Sequence, residues 1–160
     1  MNNHRKNASV CVLTSDSIYV FGGAKKDGSL SDSIEMYLVS ADLWLLLQVK
    51  LPSPIAFATA FKVSQFQIVL LGGLISADSE NCQTYPTNQV VSYDIRKHQC
   101  FRAQRLQKDF VSIYPSFYND DGTLLLINED GKGDRPEIIT YDINRYLTDP
   151  TNTLTTESDI

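Results

Sequence analysis

Two double-glycine strand ends lie fifty residues apart in this 160-residue chain, Gly22-Gly23 and Gly72-Gly73. Each pair follows a short apolar run, Ile18–Phe21 or Ile68–Leu71, and precedes a polar loop. Self-similarity at a fixed period of this size is typical of repeat architectures. A glycine has no side chain where neighbouring sheets crowd together, and it adopts backbone angles that other residues avoid. The pairs therefore predict stacked β-sheets that approach closely at these points.

The first unit continues in a regular order. The strand Ile34–Tyr37 follows the loop, Trp44 stands seven positions after Tyr37, and the proline-containing turn Leu51–Pro54 leads into the next unit. This order resembles the kelch repeat, which has a strand ending in two glycines, a tyrosine, a tryptophan a short distance later and a proline turn.

The later units are less regular. In the second, Val90–Asp94 supplies Tyr93, and Phe101 stands near the tryptophan position. In the third, the run Thr123–Ile127 ends without glycines, and Ile138–Asp142 supplies Tyr141. The resemblance covers residues 5 to about 146 and weakens along the chain.

The resemblance implies an all-β fold, a partial kelch-type β-propeller of about three antiparallel four-stranded blades with the last one incomplete. The expected blades are residues 5–52, 53–107 and 108–147, followed by a polar, flexible tail over 148–160. The expected blade-forming residues, with Tyr37 and Trp44 buried between blades, are Gly22, Gly23, Tyr37, Trp44, Gly72, Gly73, Tyr93, Phe101 and Tyr141. The spacing alone also allows a two-sheet β-sandwich with unrelated glycine turns.

Three blades fall short of the roughly four to eight that close a propeller. We therefore expect that missing sequence or a second chain completes the ring, with self-association as one route. The alternatives are an open stack with exposed apolar faces, or a truncated product without independent activity.

Composition excludes several classes of function. A formal net charge of −5 argues against a general nucleic-acid or acidic-membrane binder, and no apolar run reaches the length of a membrane span. Three cysteines without a Cys-x-x-Cys pair favour a reducing compartment, so the expected location is the cytoplasm. Cys11 is expected in the core, and Cys82 in a long loop.

Catalytic constellations are sparse. His4 and His98 have no His, Cys or carboxylate at metal-ligand spacing, and no nucleophile elbow occurs. The loop 130–134 has two carboxylates but lacks the further oxygen ligands of a calcium site. We expect no catalytic residues, no metal and no cofactor.

A partner-binding surface is expected on the rim formed by the loops after each second strand and the connections between blades. Basic and aromatic side chains concentrate there, which favours a protein partner with an acidic segment. The candidate residues are Lys25, Lys26, Tyr85, Arg105, Lys108, Phe110, Lys132 and Arg135. The alternative interpretation is that these charges only keep exposed loops soluble.

The leading hypothesis is a non-enzymatic protein-interaction module, a scaffold or adaptor. The family resemblance implies roles such as ubiquitin-ligase adaptor or cytoskeletal attachment, without a basis for choosing between them. The alternative is part of a propeller enzyme of the oxidase or sugar isomerase type, completed by another chain or by missing sequence.

Overall fold

A computed structural model describes residues 1–76, 83–110, 113–118, 122–128 and 137–142. Every regular element within them is a β-strand. The strands are β1 Ser9–Thr14, β2 Ser17–Phe21, β3 Ser33–Leu38, β4 Leu43–Lys50, β5 Ile55–Ala56, β6 Thr59–Ser64, β7 Gln67–Leu71, β8 Leu74–Ser76, β9 Thr84–Pro86, β10 Val90–Asp94, β11 Gln99–Arg102, β12 Ile113–Tyr118, β13 Thr123–Asn128 and β14 Glu137–Asp142.

These strands form three blades and one small connecting sheet, all antiparallel. Blade 1 has the order β1-β2-β3-β4, blade 2 the order β6-β7-β10-β11, and blade 3 the order β12-β13-β14. The small sheet has the order β5-β8-β9; in sequence, β5 lies between blades 1 and 2, whereas β8 and β9 lie between β7 and β10 of blade 2. The all-β fold of antiparallel blades is confirmed, and the stack of described blades is an open one.

Each blade has two faces because side chains alternate along a strand. We call the face that packs on the following blade the back face, and the opposite one the front face. The back face of blade 1, with Tyr19 and Phe21, meets the front face of blade 2, with Ile68 and Tyr93. The apolar core between these blades, core 1, consists of Cys11, Leu13, Tyr19, Phe21, Ile34, Leu51, Ile55, Ala58, Ile68, Leu70, Val91 and Tyr93.

The second core repeats this arrangement one blade further along. Core 2 joins the back face of blade 2 to the front face of blade 3 and consists of Val69, Leu71, Val90, Leu106, Phe110, Leu124 and Tyr141. The alternation explains why β7 is apolar from Ile68 to Leu71. Its side chains are covered on both faces, Ile68 and Leu70 in core 1 and Val69 and Leu71 in core 2.

The cross-strand register identifies equivalent positions in blades 1 and 2. Tyr37 pairs with Trp44, and Tyr93 pairs with Cys100. Cys100, and not Phe101, therefore holds the tryptophan position of the second repeat. Phe101 lies next to that position on β11, opposite Ser92, and is 39% exposed.

The tyrosines themselves have different surroundings. Tyr93 is fully buried in core 1, and Tyr141 is buried in core 2 with its hydroxyl donating to the Gln104 carbonyl over 2.7 Å. Tyr37 and Trp44 lie on the front face of blade 1, half-buried, with ring centroids 4.9 Å apart. They are not buried between described blades as expected, because no described blade packs on that face.

The double glycines have the same geometry in both repeats. Gly22 and Gly72 have φ near +60°, and Gly23 and Gly73 have φ of +97° and +98°. A Cβ atom on Gly22 would lie 2.2 Å from the Ile55 carbonyl oxygen. Both the positive φ and the close approach of the linker exclude side chains here.

The second glycine of each pair fixes the linker to the following blade. The Gly23 amide donates to the Ile55 carbonyl over 2.7 Å, and the Gly73 amide donates to the Phe110 carbonyl over 2.9 Å. The linker residues then pair with the loop of the blade that follows them. For example, β5 in the linker between blades 1 and 2 pairs with β8 in the loop of blade 2. The sequence expectation placed β8 and β9 in a loop, whereas the structure shows them as short strands against the linker.

Candidate functional site

Loops and linkers of blades 1 and 2 gather on one rim. The turn after β2 is tight, since the Lys25 amide donates to the Ser29 carbonyl over 2.8 Å and the Gly28 amide donates to the Lys25 carbonyl over 3.1 Å. Lys25 and Lys26 are exposed on this turn. Both predicted lysines thus lie at the rim end of blade 1.

The N-terminal segment, residues 1–8, runs beside this turn. The amide and carbonyl of Lys6 pair with those of Ala24 at 3.0 and 2.8 Å. Together they border a cleft of about 630 Å³. We call it the blade 1 cleft, and it is lined by Asn2, Asn3, His4, Arg5, Lys25, Lys26, Asp27, Ser31, Asp32, Ser33, Leu46, Leu47 and Lys50. An adjoining depression of about 560 Å³ adds Lys6 to the same basic surface.

Two of the cations at this surface are neutralised. Arg5 forms a buried ion pair with Glu35, and Lys50 Nζ lies 3.0 Å from a carboxylate oxygen of Asp32. Asp27 accepts hydrogen bonds from the hydroxyl and amide of Ser29 at 2.7 and 3.0 Å. These bonds lower the pKa of the Asp27 carboxyl and keep it ionised.

The remaining lysines give the surface its charge. Among the described residues, Lys6, Lys25 and Lys26 have no ion pair within 4.0 Å. The surface is therefore locally positive although the chain carries a formal net charge of −5. Positive charge around a concave surface attracts carboxylate groups and orients them.

The other predicted rim residues do not line the blade 1 cleft. Tyr85 is 41% exposed on β9, and Arg105 and Lys108 are exposed on the linker between blades 2 and 3. Phe110 on the same linker is 2% exposed within core 2. The expectation that Phe110 is an exposed aromatic anchor is wrong, because it fills the position that Ile55 fills between blades 1 and 2. Lys132 and Arg135 lie outside the described residues.

Sequence reasoning missed His4, which lines the blade 1 cleft, and Lys6, which lines the adjoining depression. The repeat period contained a signal for them, since Lys6 precedes Ala56 by the same fifty residues that separate the double glycines. The Lys6–Ala24 bridge repeats the pairing of Ala56 with Leu74. The N-terminal segment thus follows the path of a linker and brings its cations to the rim.

Two cysteine thiols are poorly suited to nucleophilic chemistry. Burial raises the pKa of Cys11 to about 11, an effect that Lys62 partly offsets, and burial raises the pKa of Cys100 to about 12. Both thiols remain protonated near neutral pH, and the thiolate is the reactive form. Cys82 lies outside the described residues. Within the described ranges, no three His, Cys, Asp or Glu side chains are grouped to hold a metal ion.

None of the described segments forms a helix with the length and apolar character needed to cross a membrane.

Comparison with known proteins gives one weak similarity. No family model matches the chain. Beta-scruin from Limulus polyphemus, a kelch-repeat protein, is 26% identical over 102 residues, which is 64% of this chain. The chain spans only 11% of the length of beta-scruin. This similarity, together with the antiparallel blades and the repeated glycine geometry, indicates that the repeats of this chain are kelch-like.

Proposed function

We propose that this chain is a non-enzymatic protein-interaction module that binds an acidic segment of a partner protein at the blade 1 cleft. The observation that carries the proposal is the group of three lysines without ion pairs among the described residues: Lys25 and Lys26 line the cleft of about 630 Å³, and Lys6 lines the adjoining depression. Its role is that of a scaffold or adaptor in the cytoplasm, the compartment favoured by the cysteine pattern.

The cleft also has an apolar component. Leu46 and Leu47 line it beside the lysines, and Leu46 is 52% exposed. A partner segment with carboxylates next to apolar side chains fits this mixture, since buried apolar contact supplies affinity and charge complementarity supplies orientation. The similarity to a kelch-repeat protein supports an interaction role at this general level.

The proposal is tested with fluorescein-labelled peptides and the full 160-residue chain. The fluorescence anisotropy of a labelled peptide of alternating glutamate and leucine should increase when the peptide binds the chain. The affinity should fall as the salt concentration increases, because salt screens exposed charges. A lysine and leucine peptide of the same length should bind much more weakly.

The double variant Lys25→Glu/Lys26→Glu should weaken binding of the acidic peptide by about tenfold or more, which corresponds to about 1.4 kcal/mol. The control Arg96→Glu/Lys97→Glu makes the same change in net charge at an exposed turn between β10 and β11. The control should retain the affinity. Equal loss in both variants, or no binding of the acidic peptide to the unmodified chain, contradicts the proposal.

A further inference from the structure

Apart from the buried Arg5–Glu35 pair, the front face of blade 1 is an apolar sheet surface that no described blade covers. It carries the Tyr37–Trp44 pair together with Val10 and Val12, whereas Leu46, on the edge strand β4, lines the blade 1 cleft. Val10 and Val12 are 54% and 60% exposed. Grouped apolar side chains on one face of a sheet indicate an interaction surface more strongly than scattered ones do.

The equivalent face of blade 2 shows what such a surface packs against. Ile18 and Tyr37 of blade 1 correspond to Ile68 and Tyr93 of blade 2, at the same positions of the ladder between the second and third strands. Ile68 and Tyr93 are both 0% exposed, because the back face of blade 1 covers them in core 1. The front face of blade 1 is therefore built like one that receives the back face of another blade.

Blade 3 has a back face that no described segment covers. Its front side packs in core 2 through Leu124 and Tyr141, and alternation along β14 places Ile138 on the opposite side. Ile138 is 69% exposed and pairs with Ile127 across the strands.

These two faces lie at opposite ends of the described stack. The described part of this chain contains three blades, and a closed propeller contains roughly four to eight. Two chains with three blades each give six. When two different faces of a chain bind each other, the subunits form a closed ring if the rotation that relates neighbouring subunits closes on itself. A rotation of 180° gives a dimer with two identical contacts.

We infer that the front face of blade 1 binds the back face of blade 3 of a second copy of this chain. Two identical contacts of this kind form a ring of six blades. The N-terminal segment covers part of this face, since the amides of Asn2 and Asn3 donate to the Glu35 carboxylate, but it leaves Val10 and Val12 exposed for the contact.

The first test is the molar mass of the full chain in solution, measured by sedimentation equilibrium over a concentration series. The expected result is a dimer of twice the 18.0 kDa chain mass. Val12→Asp and Ile138→Asp each place a charge on one of the two faces, and each should shift the dissociation constant of the homodimer upward by at least a hundredfold. The control Val39→Asp changes a 45% exposed valine in the turn after β3 and should leave the dimer intact.

The second test mixes the two variants. A Val12→Asp chain retains a good blade 3 face and an Ile138→Asp chain retains a good blade 1 face, so the mixture should form a heterodimer through one intact contact. This recovery distinguishes the proposed contact from one between two copies of the same face. Circular dichroism of each variant verifies that the chain remains folded.

A folded monomer at every concentration overturns the proposal. A dimer that persists in both Val12→Asp and Ile138→Asp also overturns it. The interaction proposed for the blade 1 cleft is tested separately, because Lys25→Glu/Lys26→Glu should leave the dimer mass unchanged.

Discussion

The guanidinium of Arg5 and the carboxylate of Glu35 form a buried ion pair on the front face of blade 1, with side chains 1% and 0% exposed. The carboxylate also accepts hydrogen bonds from the backbone amides of Asn2 and Asn3 at 2.7 and 3.2 Å. Arg5 donates further to the Gly22 carbonyl over 2.9 Å. The charges are therefore well provided with partners, which is the condition for burying an ion pair at tolerable cost.

Breaking this pair should destabilise the protein more than replacing it. The equivalent positions of the second repeat are Ile55 and Val91, both in core 1. Arg5→Ile or Glu35→Val alone should cost about 3–5 kcal/mol, because each leaves a buried charge without its main partner. The double variant should recover most of that loss, as measured by urea denaturation. Single losses below about 1 kcal/mol, or a double variant as unstable as the sum of the singles, would contradict this reading.

The two equivalent tyrosines should differ strongly in their effect on stability. Tyr93→Ala removes a fully buried side chain from core 1 and should cost about 3–5 kcal/mol. Tyr37→Ala removes a half-buried ring whose main aromatic contact is Trp44, and should cost on the order of 1 kcal/mol. The comparison is made by denaturant unfolding at a protein concentration where the chain is monomeric. Equal losses would show that Tyr37 is also enclosed.

Glycine substitutions separate backbone strain from crowding. Gly73 and Gly28 both have positive φ, +98° and +89°. A Cβ on Gly73 would lie 2.5 Å from the Ala56 carbonyl oxygen, whereas a Cβ on Gly28 would have no atom within 4 Å. Gly28→Ala should therefore show only the cost of the left-handed conformation, about 1–2 kcal/mol. Gly73→Ala should cost about 1–3 kcal/mol more because the linker must move. Thermal unfolding measures both, and a larger effect at Gly28 would contradict the proposed role of the close approach.

Stability should fall at alkaline pH. The thiols of Cys11 and Cys100 ionise near pH 8.5 in an unfolded chain, whereas burial raises their folded pKa values to about 11 and about 12. The folded state therefore retains these protons over a range in which the unfolded state has lost them. The free energy of unfolding should be unaffected by these groups below about pH 8, and should decrease as pH rises toward about 12.

The control for this effect is Cys11→Ala/Cys100→Ala, which removes both thiols. Its unfolding free energy should be lower at neutral pH, because the core loses volume, but should decrease less steeply above pH 8.5. Parallel pH curves for the two proteins would show that the thiols do not contribute. Burial also raises the pKa of Tyr93, so some alkaline dependence should remain in the variant.

The regular strands were predictable because their signals are local. The apolar run Ile68–Leu71 was expected as a strand ending at the double glycine, and it forms most of β7, which ends at Leu71. The short strands β8 and β9 were not expected, because β8 is held by β5 from a linker that lies far away in sequence. The position of Trp44 was also misjudged. Its size predicts burial, but burial depends on whether another sheet covers that particular face.

The candidate site also contains residues whose positions could be predicted from the sequence and residues whose positions could not. Lys25 and Lys26 follow a double glycine and were expected on the rim, where the structure has them. Phe110 looked like an exposed aromatic in a polar segment, but the repeat makes it equivalent to Ile55, which is buried. Backbone pairing with Ala24 places Lys6 beside the cleft, and a pattern of side chains in the sequence does not predict such pairing. The binding roles of Lys25, Lys26, Tyr85, Arg105 and Lys108 stay predictions.

The hydrogen bond from the Gly23 amide to the Ile55 carbonyl bears on where this protein can be divided. A fragment that ends with β4 would contain all four strands of blade 1 but would lack the acceptor for its own glycine amide and the apolar side chain of Ile55 in core 1. The smallest fragment that retains this hydrogen bond and this apolar contact is thus blade 1 together with the linker residues up to Ile55. Units that share residues across their boundary melt together, so unfolding should spread from one blade to its neighbour instead of stopping between them.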